Sequence, residues 1–122
     1  MADRVNVSSG SAFESAVGYS RAVRVGPLVL VAGTTGAGAD IAAQTREALR
    51  RIDVALREAG AELTDVVRTR MYVTDIAKWQ EVGAVHAQMF GDVRPVSTMV
   101  EVSALISPEL MVEVEAEAYV GG

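Results

Sequence analysis

The hydrophobic positions change period along the chain, and each change marks an element. Residues 20–25 and 28–32 read as two short strands that turn at Gly26-Pro27. The second contains Leu28-Val29-Leu30-Val31, apolar at every position, which implies burial on both faces and so asks for more cover than one helix layer gives. From Ile41 the period lengthens. Ile41, Ala48, Leu49, Ile52, Ala55, Leu56 and Ala59 recur at helical spacing, while Arg46, Glu47, Arg50, Arg51 and Arg57 take the other side. A helix is therefore predicted from an Asp40 cap to about residue 59, ended by Gly60. Residues 65–74 mix β-branched, aromatic and Met side chains in alternation and read as a strand. Asp75 then caps a second helix over 76–90, with Ile76, Trp79, Val82, Gly83, His86, Met89 and Phe90 on its apolar stripe. "GDVRP" breaks that pattern, and strands follow at about 97–105 and 110–120. The polar, Ser/Gly-rich start of the chain carries no assigned element.

The order ββαβαββ, without repeats or low-complexity segments, predicts one α+β domain over residues 1–122. Its sheet should be mostly antiparallel or mixed, with both helices on one face. The opposite face then carries Glu113, Glu115 and Glu117, every second residue of the last strand, beside whatever the all-apolar strand presents. A face both apolar and acidic is the expected signature of an oligomer that buries the apolar part and leaves the acids in clefts.

Composition narrows the chemistry. The 122 residues carry a net charge of −5, and the ten arginines and one lysine form no basic run beyond Arg50-Arg51, so nucleic acid is not an expected partner. Without cysteine there is no thiolate nucleophile, and Lys78, expected to face solvent, is the sole Schiff-base candidate. His86 is the only histidine, which rules out a His-rich metal site and leaves a carboxylate-only site without support, so no metal is expected. No apolar stretch approaches the roughly 20 residues of a membrane helix, and the N-terminus lacks the apolar core of a secretory signal. A soluble cytoplasmic protein with no membrane partner is expected. "GTTGAGAD" follows a strand and precedes a helix, but it lacks the Gly-Lys-Ser/Thr ending of a phosphate loop and fits no G-x-G-x-x-G frame.

Four short motifs occur in a telling order. They are Gly18-Tyr19-Ser20-Arg21-Ala22-Val23, Ala32-Gly33-Thr34, Val67 to Asp75 (VRTRMYVTD), and the closing pair Ser97 to Leu105 (STMVEVSAL) with Glu113-Val114-Glu115-Ala116. Together they span nearly the whole chain and resemble the Rid (RidA/YjgF) family, sometimes labelled endoribonuclease L-PSP. Its members carry Gly-Pro-Tyr-Ser-Gln-Ala-Val at the first motif, Ser-Gly-Gln at the second and Arg-Ser-x-Val-Glu-Val at the fourth. The resemblance implies a chorismate-mutase-like fold and a homotrimer with its sheets facing inward. It also implies small-molecule clefts between subunits and no cofactor. The activity implied is hydrolysis of reactive enamines and imines to ketoacids and ammonia.

Glu113 matches the glutamate that orients the attacking water in the family, and a desolvated glutamate is equipped to accept and return a proton. Glu115 and Glu117 match less clearly and are expected to be solvated. Tyr19 falls in the family's substrate loop as a hydroxyl donor, and Gly33 and Thr34 lie at the second motif. Ser97 stands where the family carries the arginine that holds the substrate carboxylate, and a hydroxyl cannot replace a bidentate guanidinium. Arg94, which Pro95 biases toward an extended conformation, is the candidate replacement. His86 suits either a helix–sheet contact or a cleft, and Trp79 a core or interface position. The expected function is acid–base addition or removal of water or ammonia on a small metabolite, with weak or absent 2-iminopropionate deaminase activity. The alternative is a non-catalytic member that binds a ligand or partner protein in the same clefts. RNA cleavage is disfavoured by the acidity and by the lack of a second histidine or a catalytic lysine pair.

Overall fold

In the computed structural model, which describes residues 3–121, the chain-order elements are β1 (Arg4–Val7), α1 (Ala12–Val17), β2 (Ala22–Val25), β3 (Leu28–Thr34), α2 (Ile41–Glu58), β4 (Val66–Val73), α3 (Trp79–Phe90), β5 (Val96–Glu101) and β6 (Val112–Tyr119). Asp40 is extended, and its side chain accepts from the Ala43 N–H, supplying the cap that starts α2. At the other end Gly60 takes φ +83°, and a Cβ there would meet Arg24 Nη1 at 2.8 Å. That guanidinium donates instead to the carbonyls of Ala59 and Gly60, closing the helix against the β2–β3 hairpin.

The strands form one sheet in the order β1-β2-β3-β6-β4-β5. Every pair is antiparallel except β4 with β5, which α3 connects as a crossover. Helices α2 and α3 cover one face. Val29 and Val31 of β3, Met71 and Val73 of β4 and Val112, Val114, Ala116 and Ala118 of β6 meet Leu49, Ile52 and Leu56 of α2 there. Burying each of the larger aliphatic chains contributes about 1.5–3 kcal/mol, so Leu49→Ala in this zero-exposure position would cost about 2–5 kcal/mol once the cavity is counted.

The mixed sheet with both helices on one face is as the sequence implies, but four details differ. β1 and α1 lie in the segment left unassigned, because their only buried residues are Val7 and Glu14, too few to create a periodic signal. β3 is not buried on both faces of the single chain: Val29 and Val31 are 0% and 3% exposed, Leu28 and Leu30 38% and 42%. The second helix starts with a 3₁₀ turn at Ile76–Lys78, which leaves Ile76 and Trp79 exposed and makes Val85 a core residue in their place. β5 ends at Glu101 and the following loop runs to β6.

The glycine-rich segment after β3 also has a packing reason. A Cβ on Gly36 would lie 2.6 Å from the Cβ of Glu47, and one on Gly38 2.8 Å from that of Ala43. These glycines let the loop lie flat on α2. Gln44, buried in the same helix, ties down the distant 109–111 loop by donating to the Glu109 carbonyl (3.0 Å) and accepting from the Met111 N–H (2.8 Å).

Candidate active site

The helix-free face of the sheet is striped by strand. β6 presents Glu113, Glu115 and Glu117, and β4 presents Arg68, Arg70 and Tyr72 in register beside them. Arg70 bridges Glu117 (2.9 Å) and Glu115 (3.6 Å), Arg68 approaches Glu117 at 4.0 Å, and the Tyr72 hydroxyl donates to Glu115. That hydrogen bond, with burial, pushes the Tyr72 phenol up. Glu115 and Glu117 are thus held by cations and a phenol rather than freely solvated.

Glu113 is different. It has no ion pair or hydrogen bond among the described residues. Its carboxylate lies across Gly33, where a Cβ would come within 2.5 Å of Oε2 and 2.9 Å of Cδ, so glycine is required for this placement. Burial, then the nearby Glu115 charge, raises its pKa above the ordinary carboxylate value, while Arg21 acts in the opposite sense.

Glu113 borders a cavity of about 700 Å³ at the edge of β3, where pairing with β2 has ended. Tyr19, Arg21, Gly33 and Thr34 border the same cavity, with α1 on one side and α2 on another. The β3–β6 register shifts between Val31 and Thr34, which frees the carbonyls of Ala32 and Gly33. Arg21 fills that irregularity: Nη1 donates to the Gly33 carbonyl (2.9 Å), to Thr34 Oγ1 (2.7 Å) and, longer, to the Ala32 carbonyl (3.4 Å). Thr34 in turn donates to the Ala32 carbonyl (2.7 Å), so its hydroxyl is spent inside the chain. Arg21 also stacks 5.7 Å above the Tyr19 ring, and Nη2 reaches the Tyr19 hydroxyl at 3.4 Å.

Four of the expected site residues, Glu113, Tyr19, Gly33 and Thr34, therefore come together within one chain. Ser97, His86 and Arg94 do not join them. Fully buried Thr69 Oγ1 lies 2.8 Å from both Ser97 Oγ and His86 Nε2, linking edge strand β5 to α3 on the helix-covered face, opposite Glu113. Burial lowers the His86 pKa, and the ring packs on Phe90 at 4.7 Å, the helix–sheet contact that sequence allowed. Arg94 is not extended as Pro95 suggested: it takes φ +55°, and Nε donates to the Gly91 carbonyl (3.0 Å), closing the end of α3. Pro95 disfavours the right-handed helical region at Arg94, and the helix-ending hydrogen bond selects the left-handed alternative over β.

Sequence reading passed over Arg21 and Thr69. Both sit inside the quoted motifs, and Arg21 stands where the family carries glutamine; a charge inside an otherwise matched motif was the available signal. No cluster of ligating side chains able to hold a metal occurs among the described residues, and no helix there is long and apolar enough to cross a membrane.

A mixed six-stranded sheet with two helices on one face defines the chain as an α+β domain of the chorismate-mutase-like architecture. The crystal structure of Rv2704 from Mycobacterium tuberculosis, a member of the YjgF/YER057c/UK114 family, superposes with a TM-score of 0.95 at 74% identity, covering 96% of this chain and 99% of that one. The family model described as Endoribonuclease L-PSP matches residues 9–120, and the chain belongs to that family. A RutC family protein of Pyrococcus abyssi is 37% identical over 83% of this chain and 85% of its own length. The 3-aminoacrylate deaminase RutC of Acinetobacter baylyi is 35% identical over 66% of this chain and 64% of its own.

Proposed function

We propose that the protein is a small-molecule hydrolase of the enamine/imine deaminase type, with Glu113 as its general base. One observation carries this reading: among the described residues Glu113 is the acid of β6 without an ion-pair partner, held across Gly33 in a cavity, where burial raises its proton affinity. A carboxylate whose proton affinity is raised in this way is a better base than a solvated one and is equipped to take a proton and give it back. In the step proposed, Glu113 accepts a proton from water as the water oxygen bonds to the imine carbon. Glu113 passes that proton to the former imine nitrogen, completing the carbinolamine, then takes the hydroxyl proton and relays it to the same nitrogen as the C–N bond breaks, so that ammonia leaves and the carbonyl forms with Glu113 ionised again. Tyr19 donates to the substrate from the same wall. No cofactor takes part in any of these steps. The name of the Acinetobacter relative, a 3-aminoacrylate deaminase, supports the same chemistry on an enamine.

The reading includes a homotrimer. Leu28, Leu30, Val96 and Val100 are exposed in one chain and share the helix-free face, where a neighbouring copy would cover them. Light scattering on a size-exclusion column tests the assembly, and a monomer mass at micromolar concentration overturns it. The chemistry is tested with imines generated in situ by an amino-acid oxidase, following ketoacid release against semicarbazide trapping. Glu113→Gln should abolish the acceleration, and full turnover in that variant removes Glu113 from its role.

A second reading, a non-catalytic ligand-binding member of the family, is favoured by Ser97 occupying the place of the carboxylate-holding arginine. Ligand binding without turnover across a panel of imines and enamines selects it.

A further inference from the structure

Besides Glu113, four charged side chains border the 700 Å³ cavity: Arg21, Arg50, Arg51 and Glu58. Arg50 and Arg51 are committed to Glu47, at 2.7–3.0 Å, and Arg51 also to the Thr35 carbonyl. Arg21 has no carboxylate within ion-pair distance among the described residues. The charges of Glu113 and Glu14 interact with it only at longer range, and Glu14 is itself held by the N–H and hydroxyl of Ser9. Arg21 spends Nη1 on the β3 irregularity, while Nη2 meets only the Tyr19 hydroxyl and Nε meets no acceptor among those residues. One edge of a rigidly held guanidinium therefore remains available beside Glu113.

The rest of the wall has another character. Phe13 and Val17 of α1, Val54 of α2 and Ile106 of the loop after β5 border the same cavity, and all four are exposed in the chain. Four large apolar side chains from three separate elements converge on a space that also holds one unpaired cation. A guanidinium edge matches a planar carboxylate bidentately, whereas a phosphate dianion would suffer twice the repulsion from Glu113.

We infer that the cavity binds a small carboxylate with a bulky apolar body, Arg21 holding the carboxylate and the Phe13, Val17, Val54 and Ile106 wall holding the body. This assigns the anion anchor to a residue of the Glu113 wall and replaces the Arg94 assignment. It rests on the Glu113 cavity being the reaction site, and it names the substrate class as imines of amino acids with large apolar side chains.

The probes are 3-phenylpropanoate, propanoate, 3-phenylpropanamide and benzyl phosphate, titrated calorimetrically into the intact protein. 3-Phenylpropanoate should bind at least about tenfold more tightly than each of the others, the magnitude expected for a charge-assisted hydrogen-bond pair or a buried aromatic ring. Arg21→Gln should erase the preference for carboxylate over amide, and Phe13→Ala should reduce the preference for phenyl over methyl. Because Arg21 also supports the β3 irregularity, Arg21→Lys is the companion variant: it keeps the charge and a donor, and should retain an intermediate preference. The inference is overturned if no probe binds, if benzyl phosphate binds best, or if both Arg21 variants discriminate as the wild type does. Binding as expected with no turnover of the phenylalanine-derived imine removes the hydrolase reading and leaves the ligand class standing. Turnover that is indifferent to Arg21 does the reverse.

Discussion

Gly33→Ala separates the placement of Glu113 from the stability of the fold. The new methyl would lie 2.5 Å from Oε2 and 2.9 Å from Cδ of Glu113, about 1 Å inside the ~3.5–4.0 Å separation at which heavy atoms attract. The obstructing atoms are the far end of a flexible side chain, so the carboxylate moves and the strand does not. Leaving a relaxed rotamer costs about 0.5–1.5 kcal/mol. Gly33 does not use the left-handed backbone region, so alanine also gains about 0.4–1 kcal/mol by restricting the unfolded chain. The two effects offset, and global stability should stay within about 1 kcal/mol of wild type. Catalysis should not, because a misplacement of ~1 Å can cost about 100-fold in rate. The measurements are urea denaturation and imine hydrolysis, for Gly33→Ala alone and in the Glu113→Gln background. The rate loss should appear with Glu113 present and vanish in the Glu113→Gln background. Wild-type turnover in Gly33→Ala, or an equal loss in both backgrounds, refutes the argument that Gly33 exists to admit the carboxylate.

The raised pKa of Glu113 has a signed consequence. The unfolded chain loses that proton near 4.5, before the folded protein does, so the associated stability is complete below that pH and is lost as pH climbs through the folded value. Glu113→Gln should thus gain in Tm over wild type between pH 4 and pH 8, and a constant difference sinks the idea. Thr69→Val removes the hydroxyl shared by Ser97 and His86 at similar volume; it should cost about 1–3 kcal/mol by chemical denaturation, against much less for exposed Ser97→Ala. Loss of a bidentate arginine contact at Ser97, about 1.5–3 kcal/mol or roughly ten- to a hundredfold in rate, predicts little 2-iminopropionate deaminase activity and at most partial gain in Ser97→Arg. Activity equal to that of an arginine-bearing relative in the same oxidase-coupled assay contradicts it.

The long elements were legible because they bury a face. α2 shows its stripe from Ile41 to Ala59, and every residue assigned to that stripe is buried. α1 was illegible for the converse reason: it packs Phe13 and Val17 toward a cavity rather than a core, and its only buried residue is Glu14. The split among the three β6 glutamates was readable only in part, since alternation places all three on one face but says nothing of which arginines stand opposite. That depends on the β4–β6 register, which sets Arg70 against Glu115 and Arg68 against Glu117, and Tyr72 against Glu113. Arg94 failed for a related reason: proline restricts its backbone locally, yet a hydrogen bond to Gly91 decides which permitted region it takes.

The strand order β1-β2-β3-β6-β4-β5 places β6, the last of these strands in chain order, at the centre of the sheet, between β3 and β4. Until residues 112–119 leave the ribosome, the nascent chain holds two partial sheets, β1-β2-β3 and β4-β5, each with an unpaired edge facing the vacant middle. The sheet therefore waits for β6, whose pairing with β3 joins residues far apart in sequence, which slows the search. A stop codon or frameshift before Val112 removes the strand that joins the halves, so such truncated chains should aggregate through their open edges rather than persist as smaller folded forms.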